Sequence, residues 1–290
     1  MEMPRVAAAL ALALSLIFVS MAGQCSGQLQ FGFYNGKCRD RNGFQRDVED
    51  IVKQKVEARF STDTTIVAAL LRMQFHDCFV NSDKKSRTGW YPVQTGRRDG
   101  RVSSAQNVKL PSPSIPVPQA IAAFNSKRLS TIDMVYLLGG GHSVGVAHCG
   151  LFQNRLYDFK NTGNPDPTMN TTLLKTLQTL CPQNSNSNNS ANLDQDPLKS
   201  SSVDKSFFEQ IRLGNGILEV DQQLALDSNT RFSVARVAGS SDFSFQFGRA
   251  MIKLGAVDVK IGKDGEIRKR CAAVNSPSGN SGENIFNIFG

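Results

Sequence analysis

Histidine, tryptophan and cysteine are scarce in this chain of 290 residues, which contains three, one and six of them. Six cysteines are too few for a disulfide-dense miniprotein, and no Cys-x-x-Cys pair or His-Glu-x-x-His run offers a zinc site. The Walker A spacing of a nucleotide-binding loop is also absent. The basic residues are dispersed, without the aromatic interleaving of a nucleic-acid site, so we expect no nucleic-acid partner. Histidine chemistry therefore has few residues to choose from.

Long apolar runs are missing beyond the first 27 residues, whereas residues 6–19 form one directly after Arg5. Followed by small residues, this run is typical of a secretory signal, and its fourteen residues fall short of the roughly 20 that a membrane span requires. We therefore expect a signal peptide over residues 1–27, a secreted domain over residues 28–275 and a flexible tail over residues 276–290. Removal of the leader takes away Cys25 and leaves an odd number of cysteines, five.

Two further properties agree with a secreted globular protein. The sequons Asn170-Thr171-Thr172 and Asn188-Asn189-Ser190 are acceptors for a glycan if they lie on the surface. A hydrophobic content of 40% excludes collagen-like and wholly disordered chains. The net charge of +8 is compatible with nucleic acid, anionic lipid or acidic polysaccharide, and charge alone does not choose between them.

Apolar periodicity predicts a mostly helical chain. Helical spacing begins at Val48, and a second helix is predicted over residues 64–79. Ser130 and Asp133 resemble a capping box at the start of a later helix. Further helices are predicted near residues 116–127, 131–138, 169–180, 204–213, 221–227 and 241–254. Strand signal is weak, and the best hairpin covers residues 257–270 with a turn at Asp264-Gly265.

The first histidine segment contains Arg72 and His76, which are four residues apart and share one face of a predicted helix. A neutral imidazole accepts a proton, and a guanidinium beside it stabilises developing negative charge. The pair suits cleavage of a bond between two oxygens, or general-base catalysis on a hydroxyl. A surface histidine beside an unrelated arginine would have the same spacing, so the residues alone leave the choice open.

The second histidine segment is a run of three glycines that ends in His142. Glycine lets the backbone approach a bulky partner closely, and His142 would then present a ring nitrogen to a metal. A ligating histidine usually donates its other N–H to a carboxylate, for which Asp221 is the candidate. A glycine cap at the end of a helix, with an incidental histidine, would produce the same pattern.

These segments, taken together, resemble the secretory plant haem peroxidases of class III. The resemblance covers nearly all of the mature chain in family order. The matching runs are Phe33-Tyr34 with Cys38, residues 72–81, 95–100, 140–149, 154–157, 164–167 and 180–182, Asp221-Gln222, and residues 265–268 ahead of Cys271.

The resemblance assigns roles to the histidine segments. It implies that His76 takes a proton from H2O2 and returns it to the departing oxygen, while Arg72 stabilises the negative charge there. It implies that Phe75 packs over a haem b group, and that His142 is the fifth ligand of the iron with Asp221 polarising its ring. Phenolic donors would be oxidised in one-electron steps, with removal of hydrogen peroxide and a part in the response to oxidative stress.

The resemblance also implies calcium, a donor site and a disulfide. The proximal calcium site would use Ser143, Asp194, Ser201 and Asp204, and Asp77 and the carbonyl of Val80 would remain from a distal one. Pro111 would lie near the aromatic donor, and Cys149 would pair with Cys181. We expect a monomer located outside the cell, in the cell wall or in the vacuole, with acidic cell-wall polysaccharide as a further partner.

One departure from the family pattern is large. Residues 81–96 number only 16 where the family has several tens of residues, two helices and three cysteines. The resemblance then leaves Cys38, Cys78 and Cys271 without partners. The fold expected is the mostly α plant haem-peroxidase fold, two helical lobes around haem with the distal lobe incomplete. Two hypotheses follow: a haem-dependent peroxidase, or a product of a skipped exon or gene-model error that has no competent activity and at most binds haem.

Overall fold

The computed structural model describes residues 29–36, 47–80, 92–102, 110–183, 188–268, 270 and 273–275, with the backbone alone for residues 76–80. The predicted signal peptide, the tail, Cys38 and Cys271 lie outside these ranges, as do residues 81–91. None of the helices within them combines the length and the apolar character that a bilayer crossing requires.

The mostly α prediction is confirmed. Ten α-helices are described: α1 Val48–Phe60, α2 Ile66–Val80, α3 Val117–Ser126, α4 Thr131–His142, α5 Gln153–Tyr157, α6 Thr171–Leu180, α7 Ser206–Arg212, α8 Glu219–Leu226, α9 Arg231–Gly239 and α10 Phe243–Gly255. Four short strands accompany them: β1 Gln30–Phe31, β2 Gln94–Thr95, β3 Val146–His148 and β4 Ser190–Asn192. Helices α5 and α9 and all four strands were not predicted.

Polar side chains begin several helices. Asp47 caps α1 by accepting from the Glu49 N–H at 2.7 Å. The predicted capping box of α4 is present, with Ser130 Oγ accepting from the Asp133 N–H and the Asp133 carboxylate accepting from the Ser130 N–H. These bonds satisfy backbone donors that a helix leaves open in its first turn.

The larger core surrounds α4. Met134 and Val135 are fully buried in this helix and belong to one apolar cluster with residues of α3, α7, α8, α9 and α10. Lys253 of α10 donates to both oxygens of Asp133 at 2.7 and 2.9 Å, which ties the end of α10 to the start of α4. The middle of the fold therefore holds the helix that ends in His142.

A second core lies beside the first, around α5, α6, β3 and β4. The expected disulfide between Cys149 and Cys181 is present in it. Arg155 is 1% exposed and donates to Asp166 at 2.9 Å and to the carbonyls of Gly216 and Ile217 at 2.6 and 2.7 Å. This buried arginine joins α5 to the segment that leads into α8.

Residues 92–102, which follow the shortened segment, contact regions distant in sequence. Strand β2 pairs antiparallel with β1. Arg97 donates to the carbonyl of Gly255 at the end of α10, and Asp99 forms an isolated bridge with Glu266. The hairpin predicted over residues 257–270 is therefore wrong, because Glu266 pairs with Asp99 rather than with the strand before the turn.

Candidate active site

His142 is the last residue of α4, and the glycines before it belong to the helix rather than to a cap beyond it. A Cβ at Gly139 would lie 2.0 Å from Phe208 Cζ, and a Cβ at Gly140 would lie 2.4 Å from the ring of Phe247. The bulky partners of these two glycines are therefore buried phenylalanines of α7 and α10. A Cβ at Gly141 would meet nothing within 4 Å, so the backbone beside His142 borders open space.

The ring of His142 is held by Asp221. Nδ1 of His142 lies 2.8 Å from Asp221 Oδ1, and the two residues are 79 positions apart in sequence. Burial acts to lower the pKa of His142, but the charge and hydrogen bond of Asp221 outweigh it, and the pKa is raised above 6.5. Phe207 meets the imidazole edge to face, with ring centroids 6.3 Å apart. These contacts hold the ring in one orientation.

Buried hydrogen bonds of Val220 and Gln222 hold the start of α8, and with it Asp221, beside His142. The N–H of Val220 donates to the carbonyl of Pro113 at 3.0 Å. Gln222 accepts from the Gly216 N–H at 3.0 Å and donates to the Ile211 carbonyl at 2.8 Å. Asp221 is itself 0% exposed, and its Oδ2 has no hydrogen-bond partner among the described residues. Among the described residues, the carboxylate therefore bonds only the side chain of His142.

Helix α2 brings the other histidine segment close to this site. A Cβ at Gly145, three residues after His142, would lie 3.0 Å from Cβ of Ala68 on α2. On α2, Arg72 follows Ala68 by one turn and His76 follows it by two. Arg72 is exposed, and Phe75 packs against Phe124 with centroids 6.4 Å apart. The side chain of His76 lies outside the described part of the structure, so its predicted role stays a prediction.

The surroundings of His142 are those expected of a histidine that binds iron. Asp221 occupies Nδ1, whereas no described residue bonds Nε2, and the side chain remains 26% exposed. A histidine whose other nitrogen donates to a carboxylate is the usual arrangement of a metal-bound imidazole. The open space at Gly141 leaves room beside it. The residues present would therefore fit a haem iron bound at Nε2 of His142.

Residues 141–145 also match the spacing Gly-x-Ser-x-Gly of a nucleophilic serine. In hydrolases that serine stands on a turn between a strand and a helix, whereas here it directly follows α4. Ser143 is 0% exposed, and its hydroxyl donates to the Gly140 carbonyl at 2.8 Å. A buried, engaged hydroxyl is no nucleophile.

Two of the predicted calcium ligands lie together beside Ser143. Asp194 and Asp204 share Ser206, whose Oγ donates to Asp194 at 2.7 Å and whose N–H donates to Asp204 at 2.7 Å. The N–H of Leu193 donates to the Gly145 carbonyl at 3.0 Å, which brings Asp194 near Ser143. In the described ranges no group of three or more His, Cys, Asp and Glu residues has metal-binding geometry.

The electrostatics of Asp194 nevertheless favour a cation. Burial raises the pKa of Asp194, and the charges of Asp204 and Asp196 raise it further. Asp196 was missed by sequence reasoning, although an Asp-x-Asp run was visible as a signal. Ser206 was missed as well. Ser201, the fourth predicted ligand, is exposed in the turn before Asp204, and the structure does not bring it into contact with Asp194.

The remaining predicted positions are placed only in part. Pro111 is partly exposed. It lies two residues before Pro113, whose carbonyl accepts from the Val220 N–H in the first turn of α8. Asp77, Cys78 and Val80 lie in the last turns of α2, where the backbone alone is described.

Comparison with known proteins identifies the family of this fold and site. The family model described as Peroxidase matches residues 84–240, a range that contains His142 and Asp221. The chain belongs to the peroxidase family. It is 36% identical to Peroxidase 60 of Arabidopsis thaliana over 326 residues, which cover 92% of this chain and 96% of that protein. It is 38% identical to Peroxidase 57 of Arabidopsis thaliana (86% and 93% covered) and 33% identical to Peroxidase N1 of Nicotiana tabacum (84% and 90% covered).

The alignment with Peroxidase 60 contains many positions that have no residue in this chain. It runs over 326 positions, but 92% of a 290-residue chain is about 267 residues, so roughly 60 positions have no residue in this chain. The same coverage leaves no more than about 23 terminal residues unaligned, so Arg72 and His76 fall inside the alignment. The location of the missing positions between Val80 and Arg97 stays a prediction.

Proposed function

We propose that this chain is a haem-dependent peroxidase that reduces hydrogen peroxide and oxidises phenolic donors by one-electron steps. The observation that carries the proposal is the pair formed by His142 and Asp221, 2.8 Å apart, with Nε2 left unbonded by the described residues. Haem b, held by His142, would supply a redox-active iron. Family membership supports this assignment, because this chain aligns with proteins named peroxidases over more than nine-tenths of their length.

Asp221 controls the proton on His142. Its carboxylate accepts the proton of Nδ1, which fixes the tautomer in which the lone pair of Nε2 faces outward. Since Asp221 Oδ2 has no described partner, little of its charge is compensated elsewhere. The imidazole is thereby a stronger electron donor than an unpaired one. Burial of the carboxylate strengthens this effect because the local dielectric is low.

Helix α2 supplies the residues that handle the peroxide. His76 takes a proton from one oxygen of H2O2 and passes it to the other, departing oxygen, which leaves as water. Arg72 remains cationic and stabilises the negative charge that develops on the departing oxygen. The donor binds beside Pro111, whose segment is tied to the start of α8 through the Pro113 carbonyl.

Calcium and the cellular location complete the proposal. Ser143, Asp194 and Asp204 would bind the proximal ion, and the raised pKa of Asp194 means that a nearby cation would relieve repulsion there. The protein is secreted to the cell wall or the vacuole, and its +8 charge attracts acidic wall polysaccharide. Retention on pectate should then fall as ionic strength rises.

The three histidines allow a test with an internal control. The mature chain is produced with hemin and calcium, the visible spectrum is recorded, and H2O2 with a phenolic donor is added. His142→Ala should lose the ligated-haem spectrum, and His76→Ala should keep that spectrum and lose donor oxidation. His148, which is exposed on β3, is the matched control, and His148→Ala should change neither. Failure of the parent chain to take up stoichiometric haem would support the inactive alternative.

A further inference from the structure

A chain of aromatic rings connects His142 with Tyr136 in the larger core. The ring centroids are 6.3 Å apart from His142 to Phe207, 5.8 Å from Phe207 to Phe208, 5.9 Å from Phe208 to Phe243 and 6.1 Å from Phe243 to Tyr136. All three phenylalanines are buried. Because protein interiors are close-packed, the rings form a continuous path without water between the histidine and the tyrosine.

Helix α4 carries both ends of this path. Tyr136 and His142 are six residues apart in it, which at a rise of about 1.5 Å per residue places them about 9 Å apart along the helix axis. Gly139 lies midway, and a Cβ there would lie 2.0 Å from Phe208 Cζ. The glycine therefore lets a phenylalanine ring lie directly on the helix backbone between the two residues. This packing leaves no gap that an electron would have to cross.

The phenol of Tyr136 is suited to oxidation. The residue is 7% exposed, and its hydroxyl has no hydrogen bond to a described residue. Burial and the charge of Asp242 raise the pKa of Tyr136, while Arg236 acts in the opposite direction. A carboxylate near the ring favours removal of an electron from it, because the charge left behind is positive.

Asp242 can also take the proton that an oxidised phenol releases. Its Oδ2 accepts from Gln246 Nε2 at 2.8 Å, and no described residue bonds its Oδ1. Asp242 is exposed at the start of α10, so a proton placed on it passes on to solvent. The surroundings of Tyr136 thus provide a path for the electron and a separate acceptor for the proton.

We propose that Tyr136 is an internal electron donor to the oxidised haem and becomes a neutral tyrosyl radical. The proposal rests on the proposed function, since the oxidant is haem that H2O2 has oxidised. One electron passes from Tyr136 to the haem, which is reduced by one level, and the phenolic proton passes to Asp242. The O–H bond is the single bond that breaks. A small phenol at the exposed edge of Tyr136 then returns one electron and one proton and itself becomes a radical.

This reaction protects the protein when external donors are scarce. Oxidised haem that finds no donor attacks the groups around it, including its own ligand. An electron drawn from Tyr136 moves the oxidising equivalent away from His142 to a site where a small reductant can quench it. Loss of Tyr136 should therefore make the protein more sensitive to excess peroxide.

Two tyrosine variants form a matched pair. Tyr136→Phe removes one oxygen and no described hydrogen bond, so the ring path and the fold are retained. Tyr157 is the control, because its hydroxyl donates to the carbonyls of Cys181 and Gln178 at 2.9 and 3.2 Å in the second core. Equal far-ultraviolet circular dichroism and equal haem uptake would exclude loss of folding as the cause of any difference.

The holoprotein is mixed with H2O2 without a donor, frozen rapidly and examined by electron paramagnetic resonance, with ring-deuterated tyrosine to identify a tyrosyl signal. We expect this signal in the parent protein and in Tyr157→Phe, and its loss in Tyr136→Phe. Inactivation by excess H2O2 should be several-fold faster in Tyr136→Phe. An unchanged signal in Tyr136→Phe, or no tyrosyl signal in a parent protein that oxidises phenols, would overturn the inference and leave the proposed function standing.

A second measurement needs no haem. In a His76→Ala/His148→Ala background His142 is the single histidine, and a photo-oxidisable ruthenium complex is coordinated to its Nε2, which no described residue bonds. After a light flash and oxidative quenching, the absorption band of a tyrosyl radical should form, and Tyr136→Phe should abolish it. Absence of the radical here would overturn the inference. A radical in a chain that takes up no haem would support the path and refute the proposed function alone.

Discussion

Two glycine positions in α4 that are two residues apart should respond to alanine in opposite directions. At Gly139 a Cβ would lie 2.0 Å from Phe208 Cζ, whereas carbon atoms in contact are about 3.5–4.0 Å apart, so the ring must move by about 1.5 Å. Phe208 is 0% exposed and has no open side to move into. At Gly141 a Cβ would meet nothing within 4 Å.

The magnitudes follow from two opposing terms. Overpacking of a core costs typically about 1–3 kcal/mol, and we take the upper part of that range for Gly139→Ala because the ring is enclosed. Replacing a helical glycine by alanine gains up to about 1 kcal/mol. We therefore expect Gly139→Ala to lower the free energy of unfolding by about 1–2 kcal/mol and Gly141→Ala to raise it by up to about 1 kcal/mol.

Urea unfolding followed by circular dichroism, without haem so that the space at Gly141 stays open, measures this difference. For a chain of this size about 2–3 kcal/mol between the variants corresponds to roughly 3–5 °C in melting temperature. A shift of the same sign in both variants would refute the assignment of the glycines to different environments.

Three other changes test the site and the second core. Asp221→Asn removes the charge that outweighs burial, so the pKa of His142 should fall below 6.5 in an NMR titration of the haem-free protein. An unchanged pKa would contradict the pairing. Asp166→Ala leaves the buried Arg155 cation unpaired and should cost about 3–5 kcal/mol in urea unfolding. Burial acts to raise the pKa of Asp166, but hydrogen bonds from Thr168 and the charge of Arg155 hold it below 3.8. Its contribution to stability is present above the unfolded-state pKa and is lost as pH falls through the lower folded value, so Asp166→Asn should flatten the acid side of the stability profile. Joint replacement of Cys149 and Cys181 by serine opens a loop with a separation of 32 residues and should cost about 3–4 kcal/mol; a loss below 1 kcal/mol would argue against the bridge in solution.

The contact between His142 and Asp221 could be anticipated across 79 residues because it follows a chemical rule. A metal-binding imidazole needs an acceptor for its second nitrogen, and the chain resembles a family that supplies one at Asp221. The capping box at Ser130 was predictable for a similar reason, since it depends on residues only three positions apart.

Features that depend on distant partners were not predictable. The glycines before His142 were consistent with a helix end, and only the positions of Phe208 and Phe247 show that they belong inside the helix. The turn at Asp264 exists, with its N–H donating to the Ile261 carbonyl, but Glu266 finds its partner in Asp99. Local sequence specifies a turn, whereas tertiary packing selects the strand that pairs beside it.

The contacts of residues 92–102 have a consequence for the order of folding. Arg97 bonds the Gly255 carbonyl across 158 residues, and Arg268 bonds the Gly100 carbonyl across 168. Closing loops of this length costs conformational entropy before any contact is gained. During synthesis neither bond can form until nearly the whole chain has left the ribosome. We expect this segment to close last and, in hydrogen exchange, to open before the core around α4 does.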